Sequence, residues 1–272
     1  MGNGNIFIGY CSGGNIDQCM MDSVTRAKEY DAARAHETKR PKILRAEGHA
    51  GGLYITMNRN RVTEQFLESD CEYFWSLDTD MQFQPDTPYR LLHTAETLRV
   101  LFGDDCGPIV SAIYFGYIGQ TASLMQPVPI WFDEREDGMP HVVQNVREGY
   151  LQELKHIGFG CCLIHRSVFE KMDEHYGVVE RDGVLFRNDF TWFDHDPIFC
   201  DETVEYRGHT FRKMVHSGED ITFCSRARKL GFQIWGNPNI ETNHLKRRFE
   251  NVATFMRGGH VMATKSETNG ES

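Results

Sequence analysis

The chain has 272 residues, 40% of them hydrophobic and 25% charged, with a formal net charge of −10. That length and balance describe an ordinary globular protein of one large domain or two small ones, with ample residues for a core. The negative charge argues against a nucleic-acid coat, which depends on neutralising phosphates, and no apolar run reaches membrane-spanning length.

The opening stretch MGNGNIFIGYCSGG has no basic region, only a short apolar run, and no Ser or Thr at its sixth position. It therefore matches neither a secretory signal nor a myristoylation site, and cytoplasmic residence is the expectation. Eight cysteines occur without any C-x-x-C pair, and Cys161 and Cys162 are adjacent. Reduced, buried thiols fit that pattern.

In chain order, residues 5–10 read as a buried strand and CSGGN as the loop after it. A polar helix over 16–36 and a strand over 42–47 follow, then a turn at GHAGG. A helix over 53–68 places Ile55, Arg59, Val62 and Phe66 on one face. Two readings are open for Arg59: a side chain covering the core edge with its stem, or a cation aimed into a site. EYFWSL is a near-continuous apolar run, as in a strand covered on both faces. A helix over 85–102 and a strand over 108–115 complete an alternation that predicts an α/β fold with an open, mostly parallel sheet flanked by helices.

The second half is less regular. VPIWFDE reads as a strand, and HIGFGCCLIHRSVFEKM as a strand running into a helix behind Gly158 and Gly160. Residues 181–210 are rich in aromatics and acids and read as a long irregular loop. SGEDITFCSRARKLG is a helix with a Ser217 start pattern and a glycine stop. FQIWGNPNIETNHLKRR gives a last strand and loop, and residues 264–272 a flexible tail.

Three constellations carry chemistry. Asp78 and Asp80 follow the apolar run one residue apart, so on extended backbone they point the same way. Two ionised carboxylates this close suit a hard cation such as Mg2+ or Mn2+. Strand ends are where open α/β sheets bind ligands. Asp220 shares a helix face with Phe223, Cys224, Ala227 and Leu230. It and Glu219 either complement the positive helix start or supply an inward general base. His244 is either structural or completes a metal site, and the cations behind it, Lys246, Arg247 and Arg248, suit phosphate.

Taken in order, RNR, SLDTDM, GFGCCLIHRSVFE, GEDITFCSRARKLGFQIW and NH resemble the nucleotide-sugar glycosyltransferases of the GT-A fold. The likeness is greatest to family 2 and its short phage and bacterial members, and it spans about residues 5–248. The resemblance implies one catalytic domain over 1–263, with the donor half about 1–115 and the acceptor half about 116–263. It implies a UDP-sugar donor with Mn2+ or Mg2+, and host cytoplasm for a phage-encoded chain. By the same likeness Asp78 lies near the ribose, and Asp80 and His244 bind the metal. Asp220 is the base of an inverting reaction, and Glu219 holds the acceptor. Tyr10 and Cys11 flank the nucleobase with Arg59 beside them. Lys246, Arg247 and Arg248 are the candidates for the leaving diphosphate.

The loop YCSGG departs from the family's usual P-x-Y/F-N form, and 181–210 has no family counterpart. Its Trp192 and Phe193 either stack on a sugar or base at the acceptor side or form a satellite core. A nucleotidyltransferase of similar sheet, or a non-catalytic sugar-binding relic, are the alternatives. The acceptor is a glycan, a protein or a hydroxymethylated DNA base, without stable membrane insertion.

Overall fold

In the computed structural model, which describes residues 5–116, 127–136 and 138–245, the chain opens with β1 (Ile6–Ser12), helix α1 (Gln18–Thr38) and β2 (Leu44–Gly51). Helix α2 (Ile55–Glu68), β3 (Tyr73–Asp78), the two-residue β4 (Met81–Gln82), helix α3 (Thr87–Phe102) and β5 (Ile109–Ile113) follow. Short strands occupy the middle: β6 (Phe115–Gly116), β7 (Val128–Pro129), β8 (Trp131–Glu134), β9 (Pro140–Val142), β10 (Gln152–Leu154) and β11 (His156–Ile157). Next, β12 (Cys161–His165) runs straight into α4 (Arg166–Tyr176). Two hairpins come after it, β13 (Val178–Arg181) with β14 (Val184–Arg187), and β15 (Pro197–Tyr206) with β16 (His209–His216). Helix α5 (Glu219–Lys229), β17 (Ile234–Glu241) and β18 (Asn243–His244) end the described chain.

The central sheet has seven strands in the order β10-β17-β5-β12-β3-β1-β2. Helices cover both faces. Val62 and Phe66 of α2, Phe169 of α4 and Phe223 of α5 pack on one side. On the other side are Met20 and Val24 of α1 and Leu91 and Leu98 of α3. The strand β3 is sandwiched between these layers: Tyr73, Trp75 and Leu77 enter one core and Phe74 the other. That burial on both faces is why its sequence shows no polar alternation.

The sheet is mixed rather than mostly parallel. β1 is parallel to both β2 and β3, and β17 to β5, but β12 is antiparallel to both β3 and β5, and β10 to β17. The reversal has a local cause. The β8–β11 excursion returns the chain to the carboxyl end of β3, where the Asp78 amide donates to the Gly160 carbonyl at 3.0 Å. A strand that starts where its neighbour ends can only run back along it.

Three local expectations also change. β2 continues to Gly51, through the predicted GHAGG turn, because its backbone stays paired with β1 as far as Ser12. The 181–210 region is built of hairpins rather than irregular loop, and ladders satisfy its backbone groups. Its connection is pinned by the buried Arg226, which pairs with Asp196 at 2.8 Å and donates to the Phe190 and Thr191 carbonyls at 2.6 and 2.9 Å. Finally, Gly218 and not Ser217 occupies the cap position of α5. The Ser217 hydroxyl is engaged with the Asp196 carbonyl and the Thr222 hydroxyl instead.

Cys11, Cys19, Cys71, Cys106, Cys161, Cys162 and Cys224 are free thiols. Among the described residues no helix is long and apolar enough to cross a membrane.

Candidate functional site

The carboxyl end of β3 delivers Asp78, and the chain then turns through Thr79 and Asp80 into β4. Because the backbone leaves the extended conformation there, strand alternation no longer governs the pair, and the two aspartates take different partners. Asp78 Oδ1 accepts from Arg59 Nη2 at 3.0 Å. Asp80 Oδ2 stands 3.1 Å from His244 Nε2.

Arg59 is only 9% exposed, so it is no stem lying across the core edge with its head in water. Its guanidinium lies over the Phe159 ring at 5.1 Å and also faces Glu219 at 3.6 Å. Asp78 and Glu219 hold its pKa above the usual range despite burial. Its Nη1 is buried with no hydrogen-bond partner. Such an unspent charged donor is costly in a core and well suited to an added anion.

His244 is oriented by its other ring nitrogen. Nδ1 lies 3.0 Å from the Phe115 carbonyl, which can only accept, so Nδ1 carries the proton. Nε2 then faces a carboxylate, which also only accepts. That arrangement is satisfied either by an imidazolium or by a cation shared between Nε2 and Asp80. Two neighbouring ligands about 2.1 Å from an octahedral ion sit about 3 Å apart, so the observed spacing accommodates a divalent metal. A carbonyl holding the far nitrogen is the usual support of a metal-binding imidazole. Asp78 does not join them: its carboxylate is tied to Arg59, and among the described residues no group of three His, Cys, Asp or Glu side chains is arranged to hold a metal. The three-ligand set expected from sequence is thus a pair, to which a bound phosphate would have to add ligands.

Asp220 and Glu219 begin α5, facing Arg59. Burial and the neighbouring Glu219 charge push the Asp220 pKa up to about 6, against the opposing pull of Arg59 and the Ile221 amide. A carboxyl poised there can exchange a proton near neutrality. His195 fixes the approach to this helix: Nδ1 donates to the Ser217 carbonyl at 2.8 Å, and Nε2 lies 3.0 Å from the Thr56 hydroxyl of α2.

On the β1–β2 side, the Tyr10 hydroxyl donates to Glu47 at 2.8 Å and its ring stacks on His49 at 5.0 Å. Cys11 is half-buried, and that desolvation pushes its thiol up to about 12 and keeps it protonated. Behind Tyr10, Cys11, Arg59 and Asp78 lies a cavity of only about 10 Å3, room for at most one water. The nucleobase cradle expected around Tyr10 and Cys11 is therefore not an enclosed pocket, because their side chains pack inward. Glu47 and His49 were not singled out from sequence; the register pairing Tyr10 with His49 is what brings them in.

Tyr114 was also missed. Its ring packs edge-on to His244 at 5.4 Å, and its hydroxyl accepts from the Gly160 amide at 3.1 Å. Burial and the Asp78 charge raise its pKa well above the ordinary phenol value. This ring explains the two glycines: a Cβ on Gly158 would stand 2.1 Å from the Tyr114 hydroxyl, and one on Gly160 would stand 2.7 Å from Cζ. Gly158→Ala is expected to cost about 1–3 kcal/mol by overpacking, measured by urea denaturation, with partial recovery in Gly158→Ala/Tyr114→Phe.

Trp192 and Phe193 are core residues, at 2% and 1% exposure. Trp192 Nε1 donates to the Phe169 carbonyl, and Phe193 stacks on Phe223 at 4.9 Å. They belong to the main core on that face of the sheet, with Phe66, Phe169 and Phe223, and are neither a satellite core nor an exposed acceptor-side stacking platform. Lys246, Arg247 and Arg248 lie outside the described residues.

No protein-family model matches the chain, and no curated protein matches it in sequence. Among solved structures it is similar to "Crystal structure of GalNAc-T7 with UDP, GalNAc and Mn2+", at TM-score 0.51 and 8% identity over 90% of this chain and 43% of that one. It is also similar to "Crystal Structure of A197 from STIV", at TM-score 0.46 and 14% identity over 89% of this chain and 86% of that one. At these identities the GalNAc-T7 likeness is one of fold alone.

Proposed function

We propose that the chain is a metal-dependent glycosyltransferase that moves a sugar from a nucleoside-diphosphate sugar, UDP-linked by preference, to an acceptor hydroxyl with inversion. The observation that carries this reading is the Asp80–His244 pair, with Nδ1 committed to the Phe115 carbonyl and Nε2 turned to a carboxylate at 3.1 Å. The resemblance of the motifs and the fold shared with a UDP- and Mn2+-bound protein point the same way.

In this reading Asp80 and His244 hold the divalent ion, and a bound ion would stabilise the charge of the departing diphosphate. Asp78 sits beside the donor and keeps Arg59 in place, while Nη1 of Arg59 offers an unspent donor to an anionic group. Glu219 orients the acceptor and keeps the Asp220 carboxyl protonated to a higher pH than a solvated aspartate. Asp220, ionised above about pH 6, removes the acceptor proton. Lys246, Arg247 and Arg248 supply further charge to the diphosphate side.

The test is a thermal-shift screen of UDP-, GDP- and CMP-sugars with Mn2+, with and without EDTA, followed by assay of released nucleoside diphosphate. A UDP-sugar shift and nucleotide release, both removed by EDTA, are the expected results. Sugar binding that ignores EDTA and yields no turnover would instead identify a non-catalytic relative of the fold.

A further inference from the structure

On the outer edge of the central sheet, next to β10, lies a groove of about 630 Å3 that shares no lining residue with the Asp78–Arg59 site. We infer that this groove binds a neutral oligosaccharide. Its role as the seat of the acceptor chain rests on the glycosyl-transfer reading; its binding chemistry does not.

The walls are made of the side chains that match hydroxyl groups. A sugar hydroxyl donates once and accepts twice, so a site for it needs both kinds of partner close together. Asn145, Gln144 and Arg147 bring donors, and Asp133 and Glu153 bring acceptors. Asp133 Oδ1 accepts from the Glu134 amide at 2.9 Å and Gln144 Nε2 donates to the Val142 carbonyl at 3.3 Å, each keeping a second hydrogen-bonding position for a ligand. Gln152 adds a more pointed observation. Its Nε2 donates to the Asn145 carbonyl at 3.4 Å, which fixes the amide's orientation, and its Oε1 is buried with no partner. A buried acceptor lacking a donor is a deficit that a ligand hydroxyl would remove.

Tyr150 supplies the apolar component. It lines the groove at 72% exposure, and an aromatic face of that kind covers the C–H face of a pyranose ring while its hydroxyl stays in water. Charge selects against other long ligands: two carboxylates against one guanidinium repel a phosphate backbone. Position also fits. The groove lines β10, which pairs with β17, and β17 leads directly toward β18 and His244. A chain lying there would start beside the strand whose far end leads into β18 and the proposed metal ligand.

The experiment uses the full chain and saturation-transfer NMR with neutral hexose and N-acetylhexosamine oligomers, repeated on Tyr150→Ala and Gln152→Leu. Binding by the wild-type chain is expected, weakened about tenfold in Tyr150→Ala, with the UDP–Mn2+ thermal shift unchanged in both variants. No binding of any neutral oligomer, binding indifferent to both substitutions, or binding only of acidic oligosaccharides, peptides or single-stranded DNA would overturn the inference. Absence of a nucleotide shift alongside retained, Tyr150-dependent glycan binding would overturn the donor reading alone and still support the groove. Tyr150 is exposed, so its truncation leaves the fold intact, and the thermal midpoint without ligand serves as the folding control.

Discussion

Asp80→Ala is expected to abolish the Mn2+-dependent UDP-sugar shift and to lower transfer at least about 100-fold, because it removes the carboxylate that faces His244. Thermal denaturation without metal should change little, since Asp80 lies in a turn at the end of β3 and not within the sheet. His244→Ala should reproduce the loss of metal dependence, and His244→Gln should restore it at most in part, since an amide oxygen can coordinate a hard cation but does not reproduce the position of the imidazole Nε2. A persistent, EDTA-sensitive shift in Asp80→Ala would move the metal elsewhere and sink the assignment.

The second large effect belongs to Asp220. Asp220→Asn is expected to bind the donor normally and to transfer about 10²–10⁴-fold more slowly, the usual range for a lost general base. The pH dependence should change with it. Wild-type transfer should rise through about pH 6 and then level, following ionisation of this half-buried carboxyl, and the variant's residual rate should lack that limb. Stability should move the opposite way. An aspartate titrates near about 3.9 in an unfolded chain and Asp220 at about 6 in the folded one. The native state therefore retains the extra proton between those values, and stability is lost as pH rises through about 6. At about pH 7 the Asn variant should be more stable than wild type by on the order of 1 kcal/mol, read from urea midpoints. Wild-type rates in Asp220→Asn would remove it from the chemistry.

What sequence could reveal here followed from periodicity. The helices over 53–68 and 85–102 and the strand ending at Asp78 are where apolar spacing placed them, because each buries a continuous face. The direction of β12 was not legible: an antiparallel strand between two others has the same apolar run as a parallel one, and only the path of β8–β11 decides it. The hairpins of 181–210 were hidden for a related reason. Both faces of β13 and β14 are exposed, so no alternation marks them. At the site, single residues were visible but their pairings were not. Arg59 was ambiguous until Asp78 and Glu219 appeared beside it. The aspartates looked like a matched pair until the turn at Thr79 separated their partners. Trp192 and Phe193 lay in a region without periodicity, and their burial by Phe169 and Phe223 is a tertiary fact.

The contact between Asp80 and His244 joins positions 164 apart in the chain. The strand that brings His244 into place, β17, finds its parallel partner β5 only after the hairpins and α5 have been laid down. Pairings of such long sequence separation close late and slowly, because the entropy of the intervening chain must be lost before they repay it. A ribosome-bound chain that has emerged only as far as α4 already holds β1, β2, β3, β5 and β12, yet it lacks half of the proposed metal pair. On the proposed reading, metal competence thus arrives with the completion of folding, and a chain ending at α4 would carry Asp78 at the end of β3 while lacking both Glu219 beside Arg59 and the histidine that seats the ion.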